Sequence, residues 1–167
     1  MQTIEEQINH NQEFYSLLGL LLYSACEVEF RLSAASRAIL TDLDSGTKQV
    51  LFAPLSFRNL QDIFFSLAKK HCNKEELESL RKDVARFEQE RNRFVHSEYI
   101  VYPHSEEDSK PNLVDRVKRK TSGKKGFKIE TSKETIEEIK VVINLADKIM
   151  LDLSATLKGV VEDDFYI

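Results

Sequence analysis

Residues 90–99, "ERNRFVHSEY", close a long amphipathic segment with two arginines, an asparagine and a histidine set around Phe94 and Val95. Upstream, Leu77, Leu80, Val84 and Phe87 recur at steps of three and four, the spacing of one helical face. With Arg91 at zero on a helical wheel, these four residues and Val95 fall within about 40° of it. Arg91 therefore occupies the middle of an apolar stripe, where a leucine is the ordinary residue. Asn92 and His96 fall at about 100° and 140°, on the rim between core and solvent, while Arg93 faces the far side.

Working outward, Asn73 and Glu76 have a capping-box-like spacing, so this helix is expected to start at Asn73 and run to about His96. From Thr3 to Leu43 the chain reads as one long helix, with Phe14, Leu17, Leu18, Leu21, Ala25, Val28, Leu32, Ala35 and Ile39 on its apolar face. Ile8, Tyr15, Leu22 and Cys26 widen that face enough to serve a core and a second protein surface together. "TDLDSGTKQ" (41–49) breaks the pattern. Pro54 is then expected to open a helix burying Phe57, Leu60, Phe64 and Leu67. The last helix is expected from Thr131, with Thr131 and Glu134 as its capping box. Its apolar face is Ile136, Ile139, Ile143, Ala146, Met150, Leu153 and Leu157.

Residues 97–130 have a different texture. "EYIVYP" is strand-like, and "LVDRVKRK" and "GFKIE" flank a Ser-Gly turn signal, with "HSEEDSKPN" as a loop. The expected fold is all-α: a bundle of four main helices in a single domain, 1–167, with a small basic β-hairpin inserted before the last helix.

Composition agrees with a soluble globular chain: 167 residues, 41% hydrophobic and 31% charged. The apolar run "LLGLLLYSAC" is too short to span a bilayer and sits too far into the chain for a signal peptide. Cys26 and Cys72 form no CxxC pattern, so a reduced, cytoplasmic protein is expected. His71, Cys72, His96 and His104 lack zinc-ligand spacing, and no phosphate-binding glycine loop or G-x-S-x-G elbow is present. Neither a metal nor a cofactor is expected.

Charge is unevenly placed. Arg116, Lys118, Arg119, Lys120, Lys124, Lys125 and Lys128 give residues 116–128 a net +7, which leaves −11 for the rest of a chain whose total is −4. The acidic total argues against a general nucleic-acid binder, whereas one basic protrusion on an acidic body points to local phosphate contact. Tyr99, Tyr102 and Phe127 are candidates for base stacking or for packing the hairpin onto the helices.

A guanidinium within an apolar stripe requires pairing. Two readings compete: Arg91 bonds a carboxylate such as Glu29 on the first helix while His96 ends its own helix favourably, or the fold opens into a cleft where Arg91 and His96 receive an anion.

Arg91, Asn92 and His96 form an Arg-polar-x3-His pattern near the end of the third main helix, after a long first helix and a "FRNLQDIF" second helix, and before an insertion and a final helix. In this the chain resembles the HEPN superfamily, whose motif is an arginine followed after four to six residues by a histidine. The resemblance implies a homodimer with its two motifs converging on one cleft, and often a metal-independent endoribonuclease. It further implies a toxin or phage-defence role, with an antitoxin or defence-system partner; other members are non-catalytic binding modules. Toxins of one branch carry a tyrosine two residues after the histidine, modified by a partner nucleotidyltransferase; here Tyr99 stands three residues after His96.

The residue types suit that chemistry. Metal-free RNA cleavage needs the 2′-hydroxyl deprotonated and the leaving oxygen protonated, and histidine does either near neutrality. Arginine's planar fork holds phosphate oxygens and stabilises charge developing in the transition state. Arg91 and His96 are thus the candidate catalytic pair with Asn92 in support, and residues 116–128 the candidate RNA-binding segment.

Overall fold

A computed structural model describes the backbone of residues 4–100, 113–121, 127–158 and 160, and the side chains of 12–97, 99, 132, 135–158 and 160. Five helices account for most of it: α1 (Ile4–Ile39), α2 (Ser45–Phe52), α3 (Phe57–Ala68), α4 (Lys74–Val95) and α5 (Ile136–Leu157). No described helix is long and apolar enough to cross a membrane. Between α4 and α5 the backbone follows three strands, β1 (Glu98–Ile100), β2 (Leu113–Thr121) and β3 (Phe127–Thr135), antiparallel in the order β1-β2-β3.

The helix starts follow from capping, and several differ from expectation. Asn73 caps α4 as foreseen, its Oδ1 accepting the Glu75 and Glu76 amides at 2.8 and 3.3 Å. "TDLDSGTKQ" does more than interrupt, because Asp44 caps the additional helix α2 by accepting the Thr47 amide at 3.0 Å. α3 opens at Ser56, whose hydroxyl accepts the Asn59 amide, so Pro54 lies in the preceding turn and not in the helix. Its fixed φ suits that turn as well as a first helical turn.

The start of α5 is shifted by four residues. Thr131 pairs with Val117 across the β2–β3 ladder and therefore lies in a strand. The capping box is formed by Thr135 and Glu138 instead: the Glu138 amide donates to the Thr135 hydroxyl at 3.1 Å, and the Thr135 amide donates to the Glu138 carboxylate at 2.7 Å. Both pairs have the same T-x-x-E spacing; the strand runs on through Thr131 and ends at Thr135, so the second pair caps.

The chain divides into two compact units, each built from separated segments, and α1, α4 and α5 each contribute a length to both. One unit comprises residues 23–89 and 144–167. Its described residues are mostly helical, and its core includes Val28, Leu32, Phe57, Leu60, Phe64, Leu80, Val84, Phe87, Ile149 and Leu153. Phe57 and Phe87 set their rings 6.3 Å apart, and Lys148 of α5 pairs with Asp83 of α4.

The other unit comprises residues 1–22 and 90–143. Phe14, Leu21, Phe94, Ile136, Ile139, Val142 and Ile143 are buried there. Lys140 of α5 reaches Glu13 of α1 at 3.3 Å, so the start of α5 is tied to α1. This unit carries the candidate site.

Candidate functional site at the end of helix 4

The last turn of α4 leaves carbonyls that no further helical amide can satisfy. The sequence supplies partners in order. The His96 amide donates to the Asn92 carbonyl at 3.4 Å, the Ser97 hydroxyl to the Arg93 carbonyl at 2.6 Å, and the Tyr99 hydroxyl to the Phe94 carbonyl at 2.6 Å. Part of the polar chemistry in "ERNRFVHSEY" is therefore the termination of a helix. Tyr99 also sets its ring edge-on to Phe14 of α1, with centroids 4.8 Å apart. Its role is to pack β1 onto the helices, and its hydroxyl is engaged with the backbone. Tyr102 and His104 lie outside the described residues, as does the side chain of Phe127.

Phe94 is fully buried. The apolar stripe of α4 continues from Phe87 to Phe94, seven residues on, rather than through Arg91 to Val95. This corrects the wheel: Arg91 and Val95 are half-buried, at the margin of the stripe. The larger aromatic ring takes the interior position, and the arginine is left half-buried at its margin.

The two arginines of the motif have different commitments. Arg93 approaches Glu90 at 3.3 Å and Glu138 of α5 at 3.6 Å, and its guanidinium carbon lies 4.7 Å from the centre of the Phe94 ring. It is a structural cross-link between the end of α4 and the start of α5. Arg91 donates from Nη1 to the Asn92 Oδ1 at 3.1 Å. That bond ties the guanidinium to the neighbouring residue on the same helix. His96 follows the last helical residue, and its side chain is exposed. Arg91 and Asn92 are thus joined by a hydrogen bond in the last turns of α4, and His96 is exposed just beyond the helix.

The second candidate element is described by its backbone. Arg116, Lys118, Arg119 and Lys120 lie on β2 and Lys128 on β3; Arg116 is in register with Tyr99 and Ser132, Lys118 with Glu130, and Lys120 with Lys128. Lys124 and Lys125 lie outside the described residues. Cys26 and Cys72 are free thiols. Burial, with Glu76 nearby, pushes the Cys72 thiol up from its ordinary value. Glu29, the carboxylate suggested for Arg91, is half-buried on the α1 length of the other unit.

Sequence reasoning named Tyr99 for packing or stacking but missed its hydroxyl bond to Phe94, and missed Ser97 and Glu138, as features that shape this helix end. The signal for Ser97 and Tyr99 was their position just beyond the helix, where hydroxyls meet orphan carbonyls. Glu138 was hidden by the misplaced start of α5. No family model matches the chain, and neither a curated protein nor a solved structure matches it.

Proposed function

We propose that this protein is a HEPN-type, metal-independent endoribonuclease that works as a homodimer, in a toxin or phage-defence role. The observation that supports the reading is that Arg91 is bonded to Asn92 while Arg93 is held by carboxylates, with His96 exposed at the end of the same helix. An arginine and a histidine five residues apart at one helix end suit a phosphodiester whose neighbouring 2′-hydroxyl is the nucleophile. In this mechanism the 2′-oxygen attacks phosphorus as a base removes its proton, and the departing 5′-oxygen receives a proton from an acid. The products are a 2′,3′-cyclic phosphate and a free 5′-hydroxyl. His96 takes a proton-transfer role, and Arg91 balances charge developing on the phosphoryl oxygens. Asn92 holds the guanidinium in place.

The inserted hairpin, with its seven basic residues from Arg116 to Lys128, is assigned to the RNA backbone in the same reading. A second reading, a non-catalytic interaction module of the same fold, draws on the helix-ending bonds of Ser97 and Tyr99, which explain part of the motif's polarity without chemistry. Incubation of pure protein with mixed RNA in EDTA separates the two. Fragments ending in 2′,3′-cyclic phosphate, lost in His96→Ala, support the enzyme; intact RNA at high protein concentration leaves the binding module.

A further inference from the structure

Register divides the basic residues of the hairpin. Three positions of the β2–β3 ladder bring two charged residues opposite each other: Asp115 with Lys133, Lys118 with Glu130, and Lys120 with Lys128. The first two are complementary. The third sets two lysines against each other, and like charges directly opposite weaken a sheet. Lysine is also depleted in strands on its own account. Arg116 and Arg119 differ again, because their partners in register are uncharged: Tyr99 and Ser132 for the first, Ile129 for the second.

Residues two apart on a strand share a face, as do residues in register on neighbouring strands. Lys118, Lys120, Lys128 and Glu130 therefore occupy one face, three lysines with one glutamate. Arg119 occupies the other, with Val117, Phe127 and Ile129. Glu130 is directly opposite Lys118 and only diagonal to Lys120, so its charge is matched first to Lys118. The Lys120–Lys128 position stays positive.

Across an antiparallel ladder such a pair has Cα atoms about 4.5–5.5 Å apart, so two strands deliver positive charge to one place with a fixed spacing. An anion held there is attracted from both sides and removes the repulsion within the ladder. Lysine suits this task, since it binds phosphate as a point charge.

The position also lies near the candidate catalytic residues. β1 starts two residues after His96, with Glu98 in register with Val117. β2 then runs on from Val117 to Lys120 at the end of β1 that joins α4. Chain connectivity keeps the Cα atoms of His96 and Lys120 within about 23 Å of each other. One short single strand can meet both.

We infer that the Lys120–Lys128 pair is a subsite for one backbone phosphate of single-stranded RNA, on a nucleotide flanking the one at His96, and that Lys118, matched by Glu130, contributes little. The inference deepens the assignment of the hairpin to the RNA backbone and rests on that assignment, not on cleavage.

The probe is a short, fluorescein-labelled 2′-O-methyl RNA of mixed sequence, which lacks the nucleophile and stays intact. In anisotropy titrations Lys120→Ser and Lys128→Ser should each weaken binding and lower the salt slope by about 0.7, one single-strand phosphate contact. Lys118→Ser should leave the slope unchanged. Lys128→Glu makes the position complementary, as at Lys118 and Glu130, so it should weaken binding while the melting temperature holds or rises. Damage to the fold does not produce that combination. Equal slopes for Lys118→Ser and Lys120→Ser overturn the inference, as does a Lys128→Glu protein that binds like wild type. Absence of binding by wild type removes the inference together with the RNA assignment. Unmodified RNA, tested on the same proteins, separates this subsite from the ribonuclease reading. The expected slopes without fragments keep the subsite and remove the ribonuclease, whereas cleavage with all variants binding alike does the opposite. Where both hold, Lys120→Ser should raise KM with kcat little changed.

Discussion

Tyr99 reaches back five residues to donate its hydroxyl to the carbonyl of Phe94 at 2.6 Å, closing a short loop that contains His96. Phe94 is the buried anchor of that loop, and the Tyr99 ring rests on Phe14. An exposed histidine is thereby held between two packed aromatic residues, an arrangement that limits where its imidazole can travel without burying it. Tyr99→Phe keeps the ring contact and removes the hydrogen bond. It should lower stability by about 1 kcal/mol. Hydrogen exchange should quicken at residues 95–98 more than elsewhere, and uniform exchange across the chain would show that the bond does not organise the loop.

The three charged or titratable residues of the motif should separate by assay. His96→Ala, at an exposed position, should change stability by about 1 kcal/mol or less and abolish single-turnover RNA cleavage. Arg91→Ala loses its bond to Asn92 and should cost about 2 kcal/mol, with cleavage also abolished. Arg93→Ala loses two part-exposed ion pairs, at about 1 kcal/mol, and should retain cleavage. It therefore serves as a control only when melting is measured alongside activity. Wild-type cleavage by His96→Ala would end the enzyme reading.

The start of α5 offers a test of register. Thr135→Ala removes the hydroxyl that accepts the Glu138 amide, and the expected loss is about 1 kcal/mol by chemical denaturation. Thr131→Ala, four residues earlier on β3, should not show a helix-capping loss. The reverse pattern would return the cap to Thr131.

Lys148 gives a pH signature. Hydrogen bonds to Asp83 and then Asp152 raise its pKa above the usual 10.5, so the folded state favours the charged amine. The stabilisation is fully present below pH 10.5 and is lost as pH rises through the higher folded value. Lys148→Met should melt below wild type at pH 7, by a difference small enough for a surface pair, and the two curves should converge at strongly alkaline pH. A gap that widened with pH would contradict this assignment.

The basic segment is expected to bind RNA through phosphates. Replacing Lys118, Arg119, Lys124 and Lys125 with Ser should weaken binding across RNA sequences and flatten the salt dependence, by about 0.7 in slope for each single-strand phosphate that is no longer neutralised. An unchanged slope in fluorescence anisotropy titrations would make the segment a solvated hairpin.

Local sequence determined most of the helices. The three-and-four periodicity that runs through Phe14, Leu21, Val28 and Leu32 places all four in the interior, and the same holds for Leu77, Leu80, Val84 and Phe87. Asn73 announced its own cap because capping depends on atoms two and three residues away. Such interactions lie within one turn and need no knowledge of the rest of the chain.

Tertiary structure decided what local pattern left open. Two T-x-x-E pairs compete to start α5, and the β2–β3 ladder, which continues past Thr131 and ends at Thr135, leaves the second to cap. Arg91 and Phe94 compete for the interior at the end of α4, and the buried aromatic ring wins because its desolvation is favourable and that of a guanidinium is not. Arg93, which the wheel only turned away from Arg91, gains its structural role from Glu138 on a helix more than forty residues later. Periodicity names the residues that can face inward. Which of them do, and which charge finds which partner, depends on the neighbour that the fold brings alongside.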